Sequence, residues 1–270
     1  MSFRMVTVLL LAEFVSFGAS ATLDAYQALE LTPGVVAATL SSGTLAEREA
    51  ALAAVRQSPG LRADSAVRAA LRQELARIVD ESRRFEALRA AAPEGAKPSR
   101  PPWWPPGEGA GEYDMSVEGL TVSLNDPIFV PELTWLVGGS GPIVQMLGAL
   151  GDLAFPTVLA RYSDTCSQSH DCPALMRGGL LDSIASMINQ GTLRTENRSA
   201  ARDIASNALD QIGDWEALSG GIAVAAALCD QGLTTRIINF VNGPNTLGNV
   251  SALQSRLLLR EASGALTKCQ

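Results

Sequence analysis

Residues 125–164 read NDPIFVPELTWLVGGSGPIVQMLGALGDLAFPTVLARYSD, and the spacing of apolar residues within them decides the fold. Ile128, Phe129, Leu133 and Leu136 recur at helical intervals, as do Ile143, Val144, Leu147 and Leu150, and then Phe155, Val158 and Leu159. Gly138-Gly139-Ser140-Gly141-Pro142 divides the first group from the second, and Gly151-Asp152 the second from the third. Helices this short are marginal in water unless each buries a face against a neighbour, so the stretch predicts stacked helices. Its ending is echoed downstream. Gln211-Ile212-Gly213-Asp214 mirrors Ala149-Leu150-Gly151-Asp152, the two Gly-Asp turns lying 62 residues apart. Each is followed by an apolar helix that closes on an acid, Asp164 or Asp230.

The composition fits an all-helical protein. Of 270 residues 47% are hydrophobic but only 5% aromatic, so the core must be built from Ala, Leu, Val and Ile, which favour close helix packing. Few runs alternate with period two, which argues against extensive sheet. The net charge of -7 disfavours non-specific binding to nucleic acid or anionic lipid. Residues 44–100 carry 11 Arg and Lys against 8 acids, whereas residues 101–165 carry Arg161 alone against 8 acids. That acidic middle reads as a solvated face in preference to a cation site.

Residues 1–21 read as a secretory signal. Arg4 supplies the positive start, an apolar stretch follows from Met5 to Phe17, and Ala19-Ser20-Ala21 offers a small-residue cleavage site before Thr22. The apolar stretch falls short of the roughly 20 residues that a spanning helix needs, so no stable membrane span is expected. The competing reading is an ordinary N-terminal helix of a cytosolic protein.

Residues 22–91 form an N-terminal helical segment. Thr44 with Glu47 makes a capping box, and Ser58-Pro59-Gly60 stops that helix. Asp64 or Ser65 caps the next, on which Val67, Ala70, Leu71, Leu75, Ile78, Phe85 and Leu88 make an apolar stripe. Its opposite side interleaves Arg68, Arg72, Arg77, Arg83 and Arg84 with Glu74, Glu81 and Glu86, which reads as a solvated, ion-paired face. Residues 92–125 are a Pro/Gly/Trp-rich linker in which residues 115–124 read as a short strand or an extended lead. Trp103 and Trp104 in it are costly to expose. They either dock on the chain's own helices or form a partner-binding plug.

Residues 126–270 form the main helical domain. After Asp164 come a polar Cys166–Cys172 loop and a helix ending at Asn189. An amphipathic helix capped by Asn197 follows, then an inner Ala-rich helix from Trp215, a short helix to Val241, and a last one from near Asn249 to Lys268.

Segments 142–164 and 197–230 resemble HEAT-type repeats, particularly the short variety of phycobilisome lyase-like proteins. Ala149, Leu150, Gly151 and Asp152 match the turn of one unit, and Ala208, Leu209, Ile212, Gly213 and Asp214 that of another. Residues 47–75 join the pattern loosely. The resemblance implies a right-handed α-solenoid of HEAT-like helix pairs, a scaffold for protein contacts with no catalytic residues or cofactor to carry over.

Four cysteines behind a signal sequence read as a disulfide set. They allow three connectivities, of which Cys166 with Cys172 and Cys229 with Cys269 are favoured. Cys166, His170 and Cys172, with Cys229, Cys269 or Asp171 as fourth ligand, give a metal alternative whose spacing matches no common zinc pattern. Ser140 sits in a Gly-Ser-Gly-Pro context that lacks the last Gly and the preceding strand of a nucleophile elbow, and a single histidine makes a Ser-His-Asp set improbable. Glycoside chemistry needs two converging carboxylates, and no spacing in the middle segment singles out a pair. Asn197 and Asn249 begin N-x-S acceptors, for which helix capping is the simpler account. The expected function is an exported, non-catalytic scaffold, periplasmic or secreted, that binds a protein partner. A secreted enzyme using acids or the Cys/His set, and a cytosolic adaptor with free thiols, are the alternatives.

Overall fold

The computed structural model describes residues 32–91, 110–138, 140–166, 174–242 and 251–269. Every regular element among them is helical, and the chain divides into two compact units at Leu120 and Thr121.

In the first unit, α1 (Pro33–Ser42) packs against α2 (Leu45–Gln57) and α4 (Ser65–Ala91), with the single turn α3 (Pro59–Ala63) between them. Local chemistry sets the ends. The Glu47 amide donates to Thr44 Oγ1 at 3.4 Å and Glu47 Oε2 accepts from the Thr44 amide at 2.7 Å, the capping box expected from sequence. Ser58 caps α3, and Asp64 Oδ1 accepts from the Ala66 and Val67 amides at the start of α4. Val67, Ala70, Leu71, Leu75 and Ile78 are buried with Val36, Leu40, Leu52 and Val55. The apolar stripe ends sooner than its spacing suggests, because Leu88 is 45% exposed.

Residues 115–124 are neither strand nor extended. They belong to α5 (Ala110–Leu124), which buries Tyr113, Val117 and Leu120 at i, i+4 and i+7. Leu120, Val122 and Leu124 imitate a two-residue alternation, but burial follows the helical period. Three long side chains tie α5 into the unit: Tyr113 to Glu74, Arg77 to Asp114, and Arg56 to the Ser116 carbonyl.

The second unit contains α6 (Val130–Leu136), α7 (Gly141–Leu150), α8 (Phe155–Arg161), α9 (Ala174–Asn189), α10 (Arg198–Asp210), α11 (Trp215–Leu228), α12 (Gln231–Asn242) and α13 (Ala252–Lys268). One set of close contacts links α7 to α9, α9 to α11, and α11 to α13. A second set links α6 to α8 and α10 to α12, and α11 also packs closely on α10. The three apolar groups of residues 125–164 each contribute inward residues: Phe129 and Leu133, then Ile143 and Leu147, then Phe155 and Val158.

Glycines set the closest approaches. A Cβ on Gly220 would stand 2.5 Å from the Leu181 Cβ of α9, and one on Gly221 would stand 3.0 Å from the Ala208 Cβ of α10. Two adjacent glycines thus let α11 lie tightly on two neighbours at once. A mid-helix glycine costs about 0.5–1 kcal/mol relative to Ala, which this packing offsets.

Among the described residues no single helix is long and apolar enough to cross a membrane.

Candidate functional site

The two Gly-Asp turns share a bonding pattern but apply it to different partners. Gly151 and Gly213 both have positive φ (53° and 101°), and each puts the following aspartate where its two oxygens do different work. Asp152 Oδ1 accepts the Arg194 backbone N–H at 3.0 Å, while Oδ2 pairs with Arg194 Nε at 3.0 Å. Asp214 Oδ1 accepts the Ala217 N–H at 3.0 Å, capping α11, while Oδ2 pairs with the buried guanidinium of Arg177 on α9. The Arg194 N–H bond, which outweighs the carboxylate's partial desolvation, holds the Asp152 carboxyl below its ordinary range. Asn197 does not cap α10 with its side chain; its Nδ2 donates to Asp152 Oδ1 at 2.8 Å instead. A third left-handed glycine, Gly191, marks the turn after α9.

These turns fix the ends of α9 and α11, and with them the carboxylates that those helices carry. Asp182 on α9, Glu216 on α11 and Glu261 on α13 come from three successive helices of the row and act on one another electrostatically. Packing around Asp182, and then the charge of Glu261, raise its carboxyl above the usual range. Glu216 is raised by burial first and then by Asp182 and Glu261, against a smaller opposing hydrogen bond from Trp215. Ser219 donates to Glu261 Oε2 at 2.8 Å, fastening α13 to α11 at this point. Glu216 Oε2 lies against Gly178, where an added Cβ would be 2.7 Å away, so the bare backbone of α9 makes room for the carboxylate. The result is an acidic patch along α9, α11 and α13.

No protein-family model matches the chain, and no curated protein or solved structure does either. The chemistry of the site therefore rests on its own residues.

The structure unites some of the expected site residues. Cys229 and Cys269 form a disulfide with Cα atoms 5.1 Å apart, joining the end of α11 to the end of α13. Cys166, the last residue of a π-helical turn (Tyr162–Cys166), is also disulfide-bonded, and no described cysteine is free. Cys172, His170 and Asp171 lie outside the described residues, as do Trp103, Trp104, Asn249 and the Ala21 cleavage position. Among the described residues no group of three or more His, Cys, Asp or Glu is arranged to hold a metal ion.

Two groupings went unread in the sequence. The acidic patch is one, and none of its members lies in the acid-rich segment 101–165. The other belongs to the first unit. Glu74, expected on a solvated face, is only 4% exposed. It accepts from Arg48 at 3.1 Å, Arg77 at 3.2 Å and the Tyr113 hydroxyl at 3.2 Å. Arg77 also pairs with Glu81 and Asp114, at 2.9 and 2.8 Å. Burial, reinforced by the Glu74 charge, pushes the Tyr113 hydroxyl well above its ordinary value, so it stays protonated and donates. Every acid in this knot faces a cation or a donor, which makes it a structural clasp.

Proposed function

We propose that the protein is an exported, non-catalytic helical-repeat scaffold, a HEAT-like right-handed α-solenoid that binds a protein partner along the row α7, α9, α11 and α13. The observation that carries the reading is the packing of each helix in that row on the next but one along the chain. Such packing propagates a face in one dimension, which is how repeat proteins make long contact surfaces. The Gly-Asp turns at Asp152 and Asp214, each pairing its aspartate with a backbone N–H and an arginine, are in keeping with that reading. Asp182, Glu216 and Glu261 give the row a negative patch, so a Lys- or Arg-rich segment is the complementary partner. The Cys229–Cys269 bridge is compatible with an oxidising, extracytoplasmic compartment.

Two measurements on protein from the native source test this. Intact mass should correspond to a chain starting at Thr22 with four hydrogens lost to disulfides; a reduced chain starting at Met1 would reject export. Crosslinking before purification should capture a discrete partner with the wild type and less of it with an Asp182→Asn, Glu216→Gln, Glu261→Gln variant of unchanged circular dichroism. Equal capture by the two proteins removes the patch from the account, and no partner with either removes the scaffold.

A further inference from the structure

The last helix packs on α11 and α12 through few large side chains. α13 buries only Leu258, Ala262 and Ala265, and two of these side chains are single methyl groups. Its polar ties are the Ser219–Glu261 bond and a hydrogen bond from Lys268 Nζ to Asn189 Oδ1 at 2.6 Å. Leu253 and Leu257 on the same helix are exposed, Leu253 to 67%. Against these weak ties stands one covalent link, Cys229–Cys269, which spans 40 residues of chain.

That link sits in an unusual place. Cys229 closes α11 in the left-handed region, at φ 46° and ψ 38°, where a residue with a Cβ is strained. Asp230 caps α12 immediately afterwards, its Oδ1 accepting from the amides of Gly232 and Leu233, so the chain turns sharply at Cys229. Cys229 is also exposed, which leaves its sulfur open to attack. A disulfide that is exposed, seated on a strained residue and joined to a lightly packed terminal helix has the features of a reversible link.

We propose that Cys229–Cys269 is a redox latch whose opening by a dithiol reductant releases α13 from α11 while the rest of the second unit stays folded. One thiolate of the reductant attacks Cys229 Sγ, and the Cys269 thiolate leaves. The reductant's second thiolate then attacks its own sulfur in the mixed disulfide and expels the Cys229 thiolate. The two protons from the reductant end on Cys229 and Cys269, and the reductant becomes a cyclic disulfide. Release withdraws Glu261 from Asp182 and Glu216 and uncovers the side of α11 that α13 covers. The latch is a property of the second unit alone and goes beyond the scaffold reading, which can fail without affecting it.

Amide hydrogen exchange on the full chain tests the latch. Three samples are compared: oxidised protein, the same protein treated with dithiothreitol, and an unreduced Cys229→Ser, Cys269→Ser double variant in which Cys166 keeps its bond. Amides of residues 252–268 should exchange about tenfold faster or more in the second and third samples, while α9 and α10 keep their rates. Removing the reductant under air should restore the slow rates in the wild type. Unchanged exchange in α13 once both thiols react as free would overturn the proposal. So would loss of protection throughout residues 121–270, because the bridge would then hold the whole unit. If the double variant does not fold, the reduced wild type decides between these outcomes.

Discussion

The Tyr113 hydroxyl donates to Glu74 Oε2 at 3.2 Å, fastening α5 to the middle of α4 through a carboxylate that water barely reaches. Arg48 completes the arrangement: its guanidinium bonds Glu74 and lies 5.1 Å from the centre of the Tyr113 ring. Removing Glu74 would leave two partly buried guanidinium groups and a buried hydroxyl without their acceptor. Glu74→Ala should therefore destabilise the first unit by about 2–3 kcal/mol, and Tyr113→Phe by about 1 kcal/mol. Urea unfolding of the two variants measures this, and equal, negligible losses would show that the clasp is not formed in solution.

Glycine substitutions should separate by what faces them. Gly220→Ala drives a methyl group into Leu181 across α9 and α11 and should cost about 1–3 kcal/mol. Gly119 and Gly264 are also helical, but a Cβ on either meets nothing within 4 Å. Gly119→Ala and Gly264→Ala should each stabilise by about 0.4–1 kcal/mol through helix propensity and reduced freedom of the unfolded chain. Thermal midpoints moving in opposite directions would bear this out; a stabilising Gly220→Ala would mean that α11 and α9 do not approach as closely as described.

Asp214 serves α11 and Arg177 together. Asp214→Asn keeps an oxygen for the Ala217 N–H but leaves Arg177 without its ion pair, whereas Asp214→Ala loses both. The alanine variant should lose about 1 kcal/mol more than the asparagine variant, the usual worth of a helix cap. Chemical denaturation of both resolves the difference, and equal losses would place the whole contribution on Arg177.

The acidic patch sets the direction of a pH dependence. A carboxyl raised in the folded state holds its proton more tightly there than in the unfolded chain. The stability that Asp182 and Glu216 add is therefore complete below about pH 4 and is lost as the pH climbs through and above the ordinary carboxylate range. Asp152 works the other way: its lowered carboxyl favours the fold at neutral pH, and that contribution fades on acidification. An Asp182→Asn, Glu216→Gln variant should lose less stability than the wild type between about pH 4 and pH 7. Urea midpoints across that range supply the comparison; parallel curves would show that the carboxylates do not sense one another.

Local signals predicted local structure well. The Thr44–Glu47 box, the Ser58-Pro59 stop, the Asp64 cap and the periodicity of residues 125–164 all act through contacts within a few positions, and all are present as helix ends or buried faces. α5 was misread because Leu120, Val122 and Leu124 imitate alternation while Tyr113, Val117 and Leu120 follow the helical period. Glu74 was misread for a different reason. A charge on the polar side of α4 is solvated only if nothing docks there, and Tyr113 arrives from 39 residues away. Asp182, Glu216 and Glu261 share no spacing signal either, since only the packing of α9, α11 and α13 brings them together. The Cys229–Cys269 pair was legible from cysteine count and the order of the helices. Asn197 shows the limit of local capping rules, because Asp152 offers its side chain a better acceptor than the helix start does.

The partnership of α9 with α11 also bears on how the chain acquires its shape during synthesis. α9 touches α7, made earlier, but its more extensive contact is with α11, made later. A ribosome that has released everything up to Asp210 has produced a centre helix whose most extensive neighbour is still missing. Leu181, for one, must then wait for Gly220 and the rest of α11 to emerge. Stalled chains ending near Asp210 should therefore be far more sensitive to protease than chains ending at Leu228, a difference of only 18 codons.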